Sequence, residues 1–390
     1  MDRLRMAVIG YGYWGPNIVR TFAELPDVEL VAVADRDPRR LEQVHSRHPQ
    51  VPHLELDHRR LFELEIDAVA VATPPQTHHH VVTECLDHGL DVMVEKPLAI
   101  STVDARDLVD RAEAADRILM VGHIGAYHPA VQHLRDMRDA GELGPLRYID
   151  AVRAGLGLYH PSLNVIWDLA PHDIAIISFL LGESPDSVSA RGVACVQAAV
   201  EDVAYLTFTY PCGVLAHIRM SWLDPCKTRR ITLVGSSLMA VYDDLEPHEK
   251  VKVYDKRVDA LRPTDTFSDF QYAYHYGSVV SPYIQFDEPL RLECSHFVES
   301  VRDRTRPLTD GWNGLEVVEA IEAAQRSLRA GGVQLPVRSP VSQHPAVGRH
   351  DAGVAREAAL VAPLGAEPVP SGATDVTVID VTETGATHER

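Results

Sequence analysis

The chain has 390 residues, 45% hydrophobic and 24% charged, an ordinary globular composition long enough for two separately cored domains and unlike a fibre or a mostly disordered chain. With 37 Lys and Arg against 56 Asp and Glu, the formal net charge of -19 disfavours nucleic acid or an anionic membrane as the main partner. The five cysteines, Cys85, Cys195, Cys212, Cys226 and Cys294, include no C-x-x-C and read as reduced thiols; without a signal-peptide core or a bilayer-length apolar run, the expected location is the cytoplasm.

Met6 to Ile9 is an apolar run that ends at Gly10, and Gly12 and Gly15 complete a GxGxxG spacing before Pro16 opens a helix. In such a loop the first glycine makes the tight turn, the second lets backbone approach a pyrophosphate, and the third lets the helix pack closely. The helix start then offers free N–H groups to the anion. This makes Gly10, Tyr11, Gly12, Tyr13, Trp14 and Gly15 the candidate cofactor loop. A second apolar run, Val28 to Ala34, ends at Asp35, twenty residues after Gly15, where a carboxylate accepts from ribose hydroxyls and favours NAD. Arg36 keeps NADP as an alternative, since a guanidinium there pairs with the additional phosphate.

A helix opening at Pro38 follows, then DAVAVA (67–72), a helix over Thr77 to His88, DVMVE (91–95), a helix from Ser101 to Ala115 and ILMV (118–121). The alternation predicts a doubly wound parallel sheet, the Rossmann arrangement, over residues 1–123. Residues 124–338 read differently. A helix (129–140), a strand (147–153) and the helical run WDLAPHDIAIISFLLG (167–182) lead into closely spaced strand-like runs between 187 and 242, and helices return at 292–302 and 314–330. This is an α+β pattern with an open, mainly antiparallel sheet, expected to carry the substrate site and the oligomer contacts. Residues 339–390 have no aromatic residue and no lysine and read as a disordered tail in which VTVIDV (376–381) is strand-like.

Ligands of open parallel sheets bind beyond the strands' carboxyl ends. Two stretches lie there. Thr73 to His78 forms a turn that can run along a cofactor, with Thr73, Pro74, Pro75 and His78 as candidate cofactor contacts, and Glu95-Lys96-Pro97 puts an ammonium at a strand tip, where it either assists a substrate hydroxyl or is simply exposed. In WDLAPHD, Asp168 and His172 are four apart and share a helix face. They suit either a base with an orienting carboxylate or a structural pair. His78, His79 and His80 cannot all face one ion from a helix start, so no metal is expected. The aromatic stretch from Phe270 to Tyr283 reads as a loop able to cover a sugar ring or to pack as ordinary loop.

In this order, GYGYWGPN, Asp35, TPPQTH, EKP, GHIGAYHPAV and WDLAPHD resemble the Gfo/Idh/MocA family of glucose-fructose oxidoreductases and inositol dehydrogenases, over Met6 to about Leu335. The resemblance implies redox chemistry on a secondary hydroxyl of a sugar or cyclitol, and a homodimer or homotetramer assembled through the second sheet. It assigns Lys96, Asp168 and His172 as catalytic, with His172 the proton acceptor. His123, Tyr127, Arg153 and Asn164 join them as candidate substrate contacts. The chain departs from the family at Tyr127-His128-Pro129-Ala130, where relatives read YNPA, and at Arg153 to Gly157, where they read R-x-N-x-G. GYGYWGPN is most similar to members that oxidise the 3-hydroxyl of hexose units before amination; the excess of arginine over lysine fits a GC-rich genome and an amino-sugar antibiotic pathway. A 3-ketosugar reductase using NADPH, an inositol dehydrogenase and a non-catalytic NAD-binding regulator are the alternatives.

Overall fold

The computed structural model describes residues 3–157, 159, 163–259 and 273–338. Its first part runs β1 (Leu4–Ile9), α1 (Gly15–Glu24), β2 (Val28–Ala34), α2 (Pro38–Arg47), β3 (His53–Glu55), β4 (Ala68–Val71), α3 (His78–Asp87), β5 (Asp91–Glu95), α4 (Thr102–Ala114) and β6 (Leu119–Gly122). The strands pair in parallel in the order β3-β2-β1-β4-β5-β6. The order reverses between β1 and β4, which opens a crevice at their carboxyl ends. Helices cover both faces, so the central strands are apolar throughout, Ala68 to Val71 being fully buried. Both expected helix starts are capped: the Asp37 side chain accepts from Arg39 N ahead of Pro38, and Ser101 Oγ accepts from Asp104 N. β3, three residues long, is too short to declare a period.

The second part runs α5 (Pro129–Asp139), β7 (Leu146–Ala154), α6 (Val165–Leu181), β8 (Ser187–Val193), β9 (Val203–Thr209), β10 (Leu215–Ser221), β11 (Thr228–Gly235), β12 (Met239–Asp243), β13 (Val251–Asp259), β14 (Ala273–Val280), α7 (Pro289–Asp303), α8 (Gly311–Arg329) and β15 (Leu335–Pro336). Among the described residues its sheet has the order β14-β13-β12-β11-β7-β10-β9-β8-β15, antiparallel except for the parallel β7–β10 pair. Alternation sorts the side chains: Ile149, Ala151, Leu206 and Ile218 face the helices, while Tyr148, Tyr205 and Leu215 stay exposed on the other side.

Two expectations need correction. Much of the aromatic stretch is no loop: Ala273–Val280 is the edge strand β14, paired antiparallel with β13, with Tyr274 and Tyr276 stacked at 6.4 Å between ring centroids. Residues 270–272 and the tail with VTVIDV lie outside the described residues. The closing helices also serve both sheets. Phe297 of α7 packs edge-on against Phe22 of α1 at 6.5 Å, and Val121 N donates to Thr309 O at 2.7 Å. Leu315 and Val318 of α8 join the core of the first sheet, whereas Val317 and Ile321 join that of the second.

Candidate active site

The loop after β1 has the geometry its glycines imply. Gly10 has φ +101°, and a Cβ there would lie 2.6 Å from Ala72 O; a Cβ on Gly15 would lie 2.2 Å from Gly10 O. Both positions are closed to any side chain. At Gly12 the space is open, the nearest atom being Arg40 Nη1 at 3.7 Å, and Trp14 at the N-cap of α1 offers its helix no side-chain acceptor. In the first turn of α1 Pro16 has no N–H and Asn17 N donates to Trp14 O at 2.9 Å, so Gly15 N is the donor that the turn leaves to an anion. Tyr11 is buried in the core and Tyr13 is 89% exposed, so the loop acts chiefly through backbone.

Asp35 is buried at the tip of β2. Its carboxylate accepts from Tyr11 N at 2.7 Å and Asp37 N at 2.9 Å and lies 3.2 Å from Arg40 Nη1. It therefore ties the glycine loop to β2, with one edge beside the crevice. The cation paired with it is Arg40, while Arg36 is exposed; Arg40 was missed because α2 brings it back only through its first turn.

His78 is fully buried, and its ring nitrogens lie 2.8 Å from Pro97 O and 2.9 Å from Thr73 O. It clamps the Thr73-Pro74-Pro75 turn to the Lys96-Pro97 segment, so it sits behind the cofactor crevice. His79 instead meets Asp107 at 2.8 Å, and His80 faces Glu84 at 3.6 Å. Glu95 is packed beneath Gly122. Burial pushes its carboxyl up to about 7 against the opposing effect of Lys96.

Lys96 leaves the carboxyl end of β5 and crosses to α6, where Nζ donates to Asp168 O at 3.0 Å and lies 3.8 Å from Asp168 Oδ1. Pro171 sits inside α6 and lacks the N–H that would bond the carbonyl of Trp167. Asp168 Oδ2 accepts from Trp222 Nε1 at 3.0 Å. The carboxylate expected to orient His172 is thus held by Trp222 and Lys96, which offer it an N–H and a positive charge in a buried setting. Among the described residues no hydrogen bond reaches the His172 ring. Burial, then the positive charges of Lys96 and Arg153, hold that ring well below the ordinary histidine value, so it is neutral. Lys96 is itself lowered, by burial, against the pull of Asp168.

The remaining expected contacts divide. His123 is 1% exposed beside Lys96, neither ring nitrogen has a partner, and burial pushes the ring down to about 3. Arg153 belongs to the cluster, but its guanidinium is held by both oxygens of buried Asp173 at 2.8 Å, which leaves it poorly placed to neutralise a substrate anion. Tyr127 and Asn164 are occupied elsewhere. Tyr127 OH is 2.9 Å from Thr309 Oγ1; Asn164 caps α6 by accepting from Trp167 N and donates to Glu201 and Gln325 at 2.7 and 2.9 Å. Asp173, next to His172 in WDLAPHD, was visible in the sequence, whereas Trp222 carried no local signal.

A sequence model described as the Gfo/Idh/MocA oxidoreductase family with an NAD-binding Rossmann fold matches residues 4–123, and the family's C-terminal domain matches residues 131–241. The UDP-N-acetylglucosamine 3-dehydrogenase of Acidithiobacillus ferrooxidans is 32% identical over 238 residues, 59% of this chain and 72% of that relative. The scyllo-inositol 2-dehydrogenase (NAD+) of Bacillus subtilis is 26% identical over 352 residues, 86% of this chain and 97% of the relative. A solved structure of the A. ferrooxidans enzyme superposes with a TM-score of 0.69 at 26% identity, covering 85% of this chain and 99% of its own. An Agrobacterium radiobacter oxidoreductase crystallised with NAD+, L-tartaric acid and magnesium gives 0.73 at 21% identity, covering 86% and 99%, a likeness of fold. The chain belongs to the Gfo/Idh/MocA oxidoreductase family. Its cofactor is NAD, and the open backbone at Gly12, the uncapped start of α1 and the carboxylate at the tip of β2 fit that molecule.

Proposed function

We propose that this protein oxidises a secondary ring hydroxyl, the 3-hydroxyl of a hexose unit, to a ketone. The observation that carries the reading is the junction of Lys96, from the carboxyl end of β5, with Asp168 and neutral His172 of α6 at the crevice of the first sheet. NAD bound in that crevice supplies the acceptor for the hydride leaving the carbinol carbon. His172 takes the hydroxyl proton on a ring nitrogen, a role open only to a neutral imidazole. The Lys96 ammonium, held by Asp168 and through it by Trp222, donates to the same oxygen and stabilises negative charge as the proton departs. His123, whose two unpartnered nitrogens are sealed from solvent beside Lys96, backs the site and adds no positive charge to it.

The similarity to UDP-N-acetylglucosamine 3-dehydrogenase supports the 3-position, and a 3-ketone so formed is the kind of carbonyl that a transaminase of amino-sugar or antibiotic biosynthesis would take. The exposed apolar face carrying Tyr148, Tyr205 and Leu215 supports a homodimer or homotetramer formed through the second sheet. The test is NADH formation against nucleotide sugars, cyclitols and aminoglycoside precursors. His172→Ala should lower turnover by roughly 10²- to 10⁴-fold with NAD affinity unchanged. A protein that binds NAD and oxidises none of these, or a His172→Ala variant with normal turnover, refutes the assignment.

A further inference from the structure

A second recess, of about 360 Å³, is lined by His128, Asp244, Pro247, Lys250, Phe286 and Pro289. It lies where the end of β12, the start of α5 and the segment before α7 meet, and a continuous set of contacts joins it to the catalytic cluster. Arg153 on β7, one of the charges acting on His172, is the register partner of Arg229 on β11. Arg229 Nη1 lies 3.2 Å from Asp244 Oδ2, just beyond β12, and Asp244 Oδ1 accepts from Tyr242 OH at 3.0 Å. The Tyr242 ring lies 5.4 Å from that of His128, which lies 6.1 Å from Phe286. Since β7, β11 and β12 are adjacent, the recess is two strand spacings from Arg153, about 10 Å. That is too far for another substituent of the ring being oxidised and suited to a second ring linked to it.

The chemistry of the recess narrows the occupant. His128 Nδ1 accepts from Ala130 N at 3.1 Å as the cap of α5, so the ring proton is on Nε2, for which no partner is found among the described residues. Burial pushes this ring down to about 4, which keeps it neutral. The Asp244 carboxylate is matched by Arg229, and Lys250 Nζ donates to Asp244 O at 2.7 Å. A polyamine would be faced by Arg229 and Lys250, and a phosphate would find only the Lys250 ammonium, already turned to Asp244 O, since Arg229 is matched by Asp244. An uncharged polyol needs no counter-charge, and Phe286, 61% exposed, supplies the apolar surface on which the C–H face of a sugar ring packs. His128 is also the position at which the chain departs from YNPA.

We propose that this recess is a distal subsite for a second, uncharged hydroxylated ring, a sugar or cyclitol joined glycosidically to the ring that is oxidised, with Phe286 and His128 as its specificity residues. The inference rests on the activity proposed above and names the class of its substrate. The test uses the full chain with NAD and compares kcat/KM for NADH formation on one-ring probes (glucose, myo-inositol), two-ring probes (maltose, cellobiose, trehalose) and UDP-glucose. Two-ring probes should exceed one-ring probes by about tenfold, and Phe286→Ala should cut that ratio by roughly 3- to 10-fold, mainly through KM. A ratio near one, or one untouched by Phe286→Ala, overturns the subsite. A preference for UDP-glucose that Lys250→Ala abolishes also overturns it, in favour of a nucleotide diphosphate. If no probe is oxidised, the proposed activity fails by itself, and saturation-transfer NMR of maltose on the NAD-loaded protein decides the subsite. Transfer to both rings that weakens in Phe286→Ala supports it; transfer that is absent or unaltered overturns it.

Discussion

Gly12 and Gly15 offer a test of the cofactor loop because the same added methyl group should act on different properties at the two positions. At Gly15 a Cβ would lie 2.2 Å from Gly10 O, more than an ångström inside the 3.4 Å at which ordinary contact begins, and the obstacle is main chain that cannot rotate away. Gly15→Ala must therefore shift α1 against the turn, at a cost of about 1–3 kcal/mol. At Gly12 the nearest atom is the tip of a flexible arginine at 3.7 Å, so Gly12→Ala should alter stability by no more than about 0.5 kcal/mol. If pyrophosphate approaches the backbone there, however, the methyl occupies its path and NAD affinity should fall by about 10- to 100-fold, ~1.4–2.8 kcal/mol. Thermal melting of the free proteins reads the first quantity and calorimetric NAD titration the second. A Gly12→Ala protein that binds NAD normally, or that melts as low as Gly15→Ala, refutes the argument.

Asp35→Ser removes the carboxylate that accepts from Tyr11 N and Asp37 N and frees Arg40 from its partner. Titration with both cofactors should show weaker NAD binding and at least a roughly tenfold rise in NADP relative to NAD; an unchanged ratio removes Asp35 from cofactor selection. The pH profile of kcat/KM tests His172. Its neutral form is the proton acceptor, and its value lies well below 6.5, so activity should persist below pH 6.5 and fall only further into acid. An acid limb at or above 6.5, or one retained in the residual activity of His172→Ala, would mean that another group is the base.

The first sheet was legible because parallel strands buried on both faces announce themselves as unbroken apolar runs, and Gly10, Pro38 and Ser101 mark where its elements turn or start. Lys96, Asp168 and His172 could be singled out in the sequence by residue type and spacing, but their contacts could not. Four-residue spacing puts Asp168 and His172 on one helix face, yet it cannot tell that Trp222, just beyond the end of β10, holds the carboxylate. β14 was missed because both faces of an edge strand are exposed, which erases the alternation that betrays a half-buried strand. Arg153 looked like a free cation for the same kind of reason: its partner Asp173 lies on another element, brought near by the packing of α6 on the second sheet.

These pairings bear on how the site selects a substrate. Lys96 faces Asp168, Arg153 faces Asp173 and Arg229 faces Asp244. Arg153 and Asp173 are buried, and desolvating both ions offsets most of their attraction; the other two pairs are partly exposed and screened by solvent, but each pair fixes a direction that an unpaired side chain would not keep. Three cations are held near His172, which favours its neutral form, while their carboxylate partners keep the cleft from becoming a trap for anions. On the activity and subsite proposed above, such a site discriminates through hydrogen-bonding groups left without a protein partner, as His128 Nε2 is among the described residues, rather than through net charge. Such groups reward a hydroxyl in the right place and penalise its loss, since a buried donor left without a partner costs about 1–3 kcal/mol. The hydroxyl pattern of the ring should accordingly affect turnover more than its net charge does.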